Sequence, residues 1–129
     1  AMVTATTQGV KISVDTIYQD EHSNPEAGHF MFAYRIHIEN LTDYEIQLMR
    51  RQWFIFDSNG TVREVEGEGV VGVQPILASG DSYSYVSGSN LKTDIGSMRG
   101  RYLMRRSADN TEFMVDIPEF ELIVPFRLN

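Results

Sequence analysis

The chain has 129 residues, of which 42% are hydrophobic and 22% charged, with a formal net charge of −7 and no cysteine. This length fits one domain with its own core, the absence of cysteine excludes disulfides, thiolate metal sites and a thiol nucleophile, and the negative charge argues against general binding to nucleic acid or an anionic membrane. No apolar run is long enough to span a membrane and AMVTATTQGV lacks the regions of a signal peptide, so a cytoplasmic protein is expected, with Ala1 read as an expression-tag remnant and residues 2–129 as one domain.

Along the chain the dominant period is two. Val10, Ile12 and Val14 alternate with Lys11, Ser13 and Asp15, which predicts a strand with one buried face. A turn at Ser23-Asn24-Pro25 follows, flanked by His22 and His29 with Asp20 and Glu21 nearby. That spacing suits at most an adventitious metal, because no H-x-H or H-E-x-x-H pattern accompanies it. Phe30, Phe32, Tyr34, Ile36 and Ile38 form the clearest strand face, with Arg35, His37 and Glu39 pointing away.

From Glu45 to Asp57 the alternation slips: Ile46 and Leu48 share one parity, Trp53 and Ile55 the other. One extra residue near Arg50 to Gln52, a β-bulge, puts both groups on the core side. Asn59-Gly60 then predicts a hairpin, since both residues tolerate positive φ, leading into a strand from Thr61 to Glu66. Glu64, Glu66 and Glu68 share strand parity and read as one solvated face. Further strands are expected at Asp81 to Val86, Arg99 to Arg106 and Thr111 to Phe126, the last interrupted at Pro118, which cannot donate to a ladder.

About seven short strands separated by turns predict an all-β antiparallel sandwich. No helical period, internal repeat or linker stands out. Trp53, the sole tryptophan, is expected at the packing centre with most of Phe54, Phe56, Tyr83, Tyr85 and Tyr102, rather than on a stacking surface. Lys11, Arg35 and the arginines after residue 98 would discourage sheet-to-sheet association at the edges.

Gly67 to Gly72 reads GEGVVG, the spacing of a dinucleotide-binding loop. That loop must open a helix whose N-terminus receives the pyrophosphate, whereas Val73-Gln74-Pro75 follows here, so the dinucleotide-fold reading fails. Two readings remain: glycines serving a bulge, a positive φ or a close strand contact, and an anion-binding concavity of backbone amides. The second must overcome Glu66 and Glu68, with Arg63 or an arginine of a neighbouring strand as compensation. Arg99, Arg101 and Arg105 share one predicted strand face and form either a solvated stripe or a phosphate-receiving one. No nucleophile with a histidine partner is evident, and the serines of SYSYVSGSN stand outside any G-x-S-x-G pattern.

Arg51-Gln52-Trp53, Asp57-Ser58-Asn59-Gly60, Val65-Glu66-Gly67-Glu68-Gly69-Val70-Val71-Gly72-Val73-Gln74-Pro75, Tyr83-Ser84-Tyr85-Val86-Ser87-Gly88, Gly96-Ser97-Met98-Arg99-Gly100-Arg101-Tyr102 and Ile117-Pro118-Glu119-Phe120 occur in that order. Together this series resembles the ApaG family. The resemblance implies a fibronectin type III or immunoglobulin-like sandwich and no established reaction. It also implies a domain that stands alone in bacteria and occurs as an interaction module in eukaryotic F-box proteins and a polymerase-interacting protein. A link to cobalt and magnesium tolerance, and pyrophosphate binding at the positions matching Gly67, Gly69 and Gly72, are further implications. Two departures stand out: Gln52 where the family commonly has histidine, and Ser79-Gly80 where it usually has Pro-Gly.

The resulting expectation is a non-catalytic binding domain without a cofactor that recruits a protein partner through a strand edge or face. A second is binding of a nucleotide or pyrophosphate by Gly67, Gly69 and Gly72, with Arg51, Arg99 or Arg101 neutralising its charge and Gly69→Val abolishing binding while the fold persists. A phosphohydrolase or metal-handling protein is the third.

Overall fold

Period-two alternation carries most of the architecture in the computed structural model, which describes residues 2–128. Among these residues the strands are β1 (Val3–Thr7), β2 (Val10–Tyr18), β3 (Phe30–Asn40), β4 (Ile46–Asp57), β5 (Val62–Glu68), β6 (Ile76–Leu77), β7 (Ser82–Leu91), β8 (Ile95–Arg106) and β9 (Glu112–Ile123). One antiparallel sheet has the order β1-β2-β3-β7, and the other β5-β4-β8-β9 with β6 also on β4. The seven expected strands are present and the fold is an all-β sandwich.

β1 and β6 extend that expectation. VTATT carries little apolar contrast, and β1 forms because a two-residue turn, Gln8-Gly9 with φ 49° and 80°, returns the chain directly along β2. β6 is only two residues long. At Asn59-Gly60 only Gly60 takes positive φ, at 90°; its amide bonds to the Asp57 carbonyl, and the Asp57 amide to the Thr61 carbonyl. The loop is thus a three-residue turn closed by the glycine.

Two further expectations are corrected. β9 runs unbroken through Pro118, because the β8–β9 register shifts between Met98 and Gly100. Proline is tolerated where a ladder is already irregular. The bulge in β4 falls at Met49, just before the expected Arg50 to Gln52: Leu48 opposes Met104 and Arg50 opposes Leu103, leaving Met49 unopposed. The outcome is the one the parity slip required, with Ile46, Leu48, Trp53 and Ile55 all buried.

The core closes over an aromatic triad that bridges the sheets. Trp53 of β4 packs 5.5 Å from Tyr34 of β3 and 5.8 Å edge-on from Phe120 of β9. Gly100 faces Trp53 across the β4–β8 ladder, where a Cβ would lie 2.2 Å from the Gln52 carbonyl oxygen and 3.1 Å from the indole. At one end Asn40, fully buried, donates to the carbonyls of Tyr44, Leu77 and Ala78 and accepts from Thr42. A buried amide so satisfied ties β3 of the first sheet to β6 of the second.

The two long sides of the sandwich differ. On one, β1 and β2 pack against β9, and the Asp116 amide donates to Thr7 Oγ1 at 3.2 Å. On the other, the outer strands β7 and β5 are spanned by Arg63, whose Nη2 donates to Ser89 Oγ and the Asn90 carbonyl.

Trp53→Ala removes the centre of the triad at a site only 3% exposed. It is expected to cost about 3–5 kcal/mol of unfolding free energy, measured by urea denaturation followed by far-ultraviolet circular dichroism.

Candidate functional site

The glycine segment follows directly from the β4 bulge. β5 runs along β4 until Glu68 opposes Arg50, and β6 resumes where Ile76 opposes Gln47. Between them the edge strand detours around Met49, whose carbonyl accepts from the Gly69 amide at 2.9 Å and from Gln74 Nε2 at 3.0 Å. The detour is a tight hairpin: Val70 and Val73 exchange backbone hydrogen bonds across Val71-Gly72, with φ 47° and 81°. Those angles are the two positive values of a type I′ turn, unusual for a β-branched residue.

Each glycine has its own reason to lack a side chain. Gly69 is buried at φ 61°, and a Cβ there would lie 2.0 Å from the Val73 carbonyl oxygen. Gly72 has open space around it and needs only its positive φ. At Gly67 a Cβ would meet the Arg51 guanidinium at 2.8 Å. The backbone amides of Gly69, Val70 and Val73 are engaged within the protein, and among the described residues those of Val71 and Gly72 at the exposed tip have no backbone partner. Gly69→Val therefore disturbs the turn itself and cannot separate binding from folding.

The arginines expected to act together lie on opposite faces. The bulge gives Arg51 the inward parity of Trp53 and Ile55, and Arg51 Nη1 donates to the carbonyls of Glu68 and Gly69 at 2.9 and 3.0 Å. Arg99 and Arg101 point outward from β8. The Arg99 guanidinium lies 5.0 Å from the Phe54 ring centroid and 5.4 Å from that of Phe56. Arg101 pairs in register with Gln52 and Asp116, and Arg105 forms an ion pair with Glu112 at 3.4 Å. On this outer face Gln52 Nε2 donates to both Glu64 and Glu66, each at 2.9 Å. The stripe Arg99, Arg101, Arg105 is thus part of a surface of mixed charge.

Arg51 and Gly72 instead border a cleft of about 370 Å³ on the β5–β7 side, with Tyr34, Trp53, Ile55 and Met98 among its apolar walls. Arg63, Tyr85, Ser87, Ser89 and Asn90 line it too. Of these polar groups the sequence points only to Arg63 as a contact for an anion, as a compensating charge; Tyr85 is expected in the core, and the serines stand outside any nucleophile pattern. A signal was present: Arg63, Val65 and Gly67 alternate with the three glutamates, so Arg63 belongs to the face opposite them. His22 is exposed and His29 half-buried, and among the described residues no group of three His, Asp or Glu side chains is placed to hold a metal ion.

Tyr34 and Tyr85 line the cleft, and the fully buried Tyr102 lies next to Tyr85. The hydroxyls of Tyr85 and Tyr102 are hydrogen-bonded to each other across the sheets. Burial raises the pKa of Tyr34, Tyr85 and Tyr102 above the ordinary tyrosine range, and the Arg51 charge pulls each back by less.

Gly69→Ala is expected to destabilise more than Gly72→Ala, compared by urea denaturation. Positive φ costs either variant about 1–2 kcal/mol, and Gly69 alone adds a collision with the Val73 carbonyl. The tyrosines predict an alkaline limit as well. Their contribution is complete below the unfolded pKa of about 10, and declines as pH rises past it because the unfolded chain ionises first. Unfolding free energies measured on both sides of that pH should fall with rising pH, and by less in Tyr85→Phe.

An ApaG domain model matches residues 20–106. Protein ApaG of Vibrio campbellii is 47% identical over 120 residues, 93% of this chain and 94% of its own length, and Protein ApaG of Brucella canis is 44% identical over 124 residues, 96% and 95% respectively. The crystal structure of an ApaA protein from Bordetella pertussis superposes with a TM-score of 0.87 at 40% identity, covering 90% of this chain and 94% of that one. With the family model spanning most of the sandwich and relatives of this identity along nearly the whole chain, the protein belongs to the ApaG domain family.

Proposed function

We propose that this chain is a non-catalytic binding domain that recruits a protein partner by strand addition along the border running from β5 through the Val70–Val73 turn to β6. The observation that carries this reading is the exposure of Val62, Val65, Val71, Val73 and Ile76 on that one border, Val71 at 63% and Ile76 at 60%. Edge strands are ordinarily kept short, charged or covered, and a row of exposed β-branched residues suits a surface covered by a partner.

Chemistry along the border favours one kind of partner. β5 is hydrogen-bonded only to β4, so its far side offers main-chain donors and acceptors for affinity while the pockets between its side chains supply selectivity. Glu64, Glu66 and Glu68 project from the same strand, favouring a partner strand with lysine or arginine at facing positions. A nucleotide or pyrophosphate at Gly67, Gly69 and Gly72 is the second reading, favoured by Arg51 and Gly72 bordering one cleft. Arg99 and Arg101, on the outer face, would take no part in it.

Affinity capture from host lysate tests the first reading. The wild-type chain should retain a specific protein that Val65→Lys combined with Val71→Lys loses, with the two chains unfolding at similar temperatures. Capture of the same proteins by both, or of none across a range of salt concentrations, would remove the reading.

A further inference from the structure

The β5–β7 cleft contains two guanidinium groups and no carboxylate among its lining residues, in a chain of net charge −7. Among the described residues neither Arg51 nor Arg63 has an acidic partner within 4.0 Å. Each commits one terminal nitrogen to neutral oxygens: Arg51 Nη1 to Glu68 and Gly69, Arg63 Nη2 to Ser89 and Asn90. Among the described residues the other terminal nitrogen of each has no hydrogen-bond partner. Two half-used guanidinium forks on one cavity form a receptor for an anion.

The walls decide which anion. Trp53, Tyr34, Ile55 and Met98 form a buried apolar and aromatic floor, and the exposed Val65 and Val71 an apolar rim, next to the charges. A polyphosphate would gain nothing from those walls, and the Gly69 and Val70 amides are engaged by Met49 and Val73, so the glycine segment offers it only the Val71 and Gly72 amides at the rim. A volume of about 370 Å³ lies at the small end of the range for organic ligands.

We infer that this cleft binds an organic carboxylate with an apolar body, its head group shared by Arg51 and Arg63 and its body lying against Trp53. The same chemistry is carried by a free aryl or alkyl acid and by the C-terminal carboxylate of a peptide ending in a large apolar residue. The site rests on the cleft alone and holds whether or not β5 pairs with a partner strand.

Because Trp53 is the only tryptophan and lines the cleft, its fluorescence reports occupancy directly. The titrants are 3-phenylpropionate, its neutral amide, N-acetyl-glycyl-phenylalanine as acid and as amide, and pyrophosphate. At least one acid should give a saturable change in Trp53 emission, with its amide weaker by about tenfold or more. Whichever acid binds more tightly identifies the source. R63Q should weaken the acid by a similar factor and leave its amide unchanged. R51Q is expected to do the same, and its thermal unfolding is recorded because Arg51 also supports the glycine turn. Equal affinity for acid and amide, no saturable response to either acid, or unaltered acid binding in R63Q would overturn the inference. A response to pyrophosphate alone would overturn it in favour of phosphate at the glycine segment.

Discussion

A single unopposed residue, Met49, governs the arrangement of the second sheet. By adding one position to β4 it reverses the side-chain parity midway, so that Ile46 and Leu48 before it and Trp53 and Ile55 after it all face the core. The same reversal turns Arg51 inward. Its guanidinium then meets the carbonyls of Glu68 and Gly69, and the missing side chain at Gly67 makes room for it. The Met49 carbonyl, projecting from the bulge, collects the Gly69 amide and the Gln74 side chain. The glycine segment is thus first of all the edge strand's way around a bulge.

From this constraint comes the asymmetry of the sandwich. Where β1 and β2 meet β9 the sheets are packed together, whereas on the opposite side the detour and Arg51 stand in the seam and the reach of Arg63 spans it. The Trp53–Tyr34–Phe120 triad and the Tyr85–Tyr102 hydroxyl pair hold the sheets at a fixed spacing beside that seam. The same side therefore presents both an unpaired strand border and a cationic, aromatic-walled hollow, the two features on which the functional proposals rest.

Much of this is legible in the amino-acid sequence. Phe30 to Ile38 keeps an apolar residue at every second position and becomes β3, and the slip between Leu48 and Trp53 announces a bulge. The pattern places it only near Arg50 to Gln52, because Met49, Arg50 and Arg51 each tolerate partial exposure and local pattern alone does not say which residue is the extra one. Pro118 misled for a related reason: its missing donor is harmful only in a regular ladder, and the β8–β9 register shifts beside it. β1 is hidden in the sequence because threonine and alanine carry little apolar contrast, although the Gln8-Gly9 turn lays it along β2 and it packs against β9. The candidate arginines look alike in sequence. Separating Arg51 from Arg99 and Arg101 requires knowing the bulge, the cross-strand register and hence the face to which each belongs.

The dependence on Met49 is open to measurement by deleting it and following the Trp53 emission maximum together with the cooperativity of urea unfolding. Without the extra residue one half of β4 must present its apolar side chains to water, so red-shifted emission and a lost or strongly weakened transition are expected. A deletion variant that keeps Trp53 shielded and unfolds as cooperatively and at the same urea concentration as the parent would contradict that dependence.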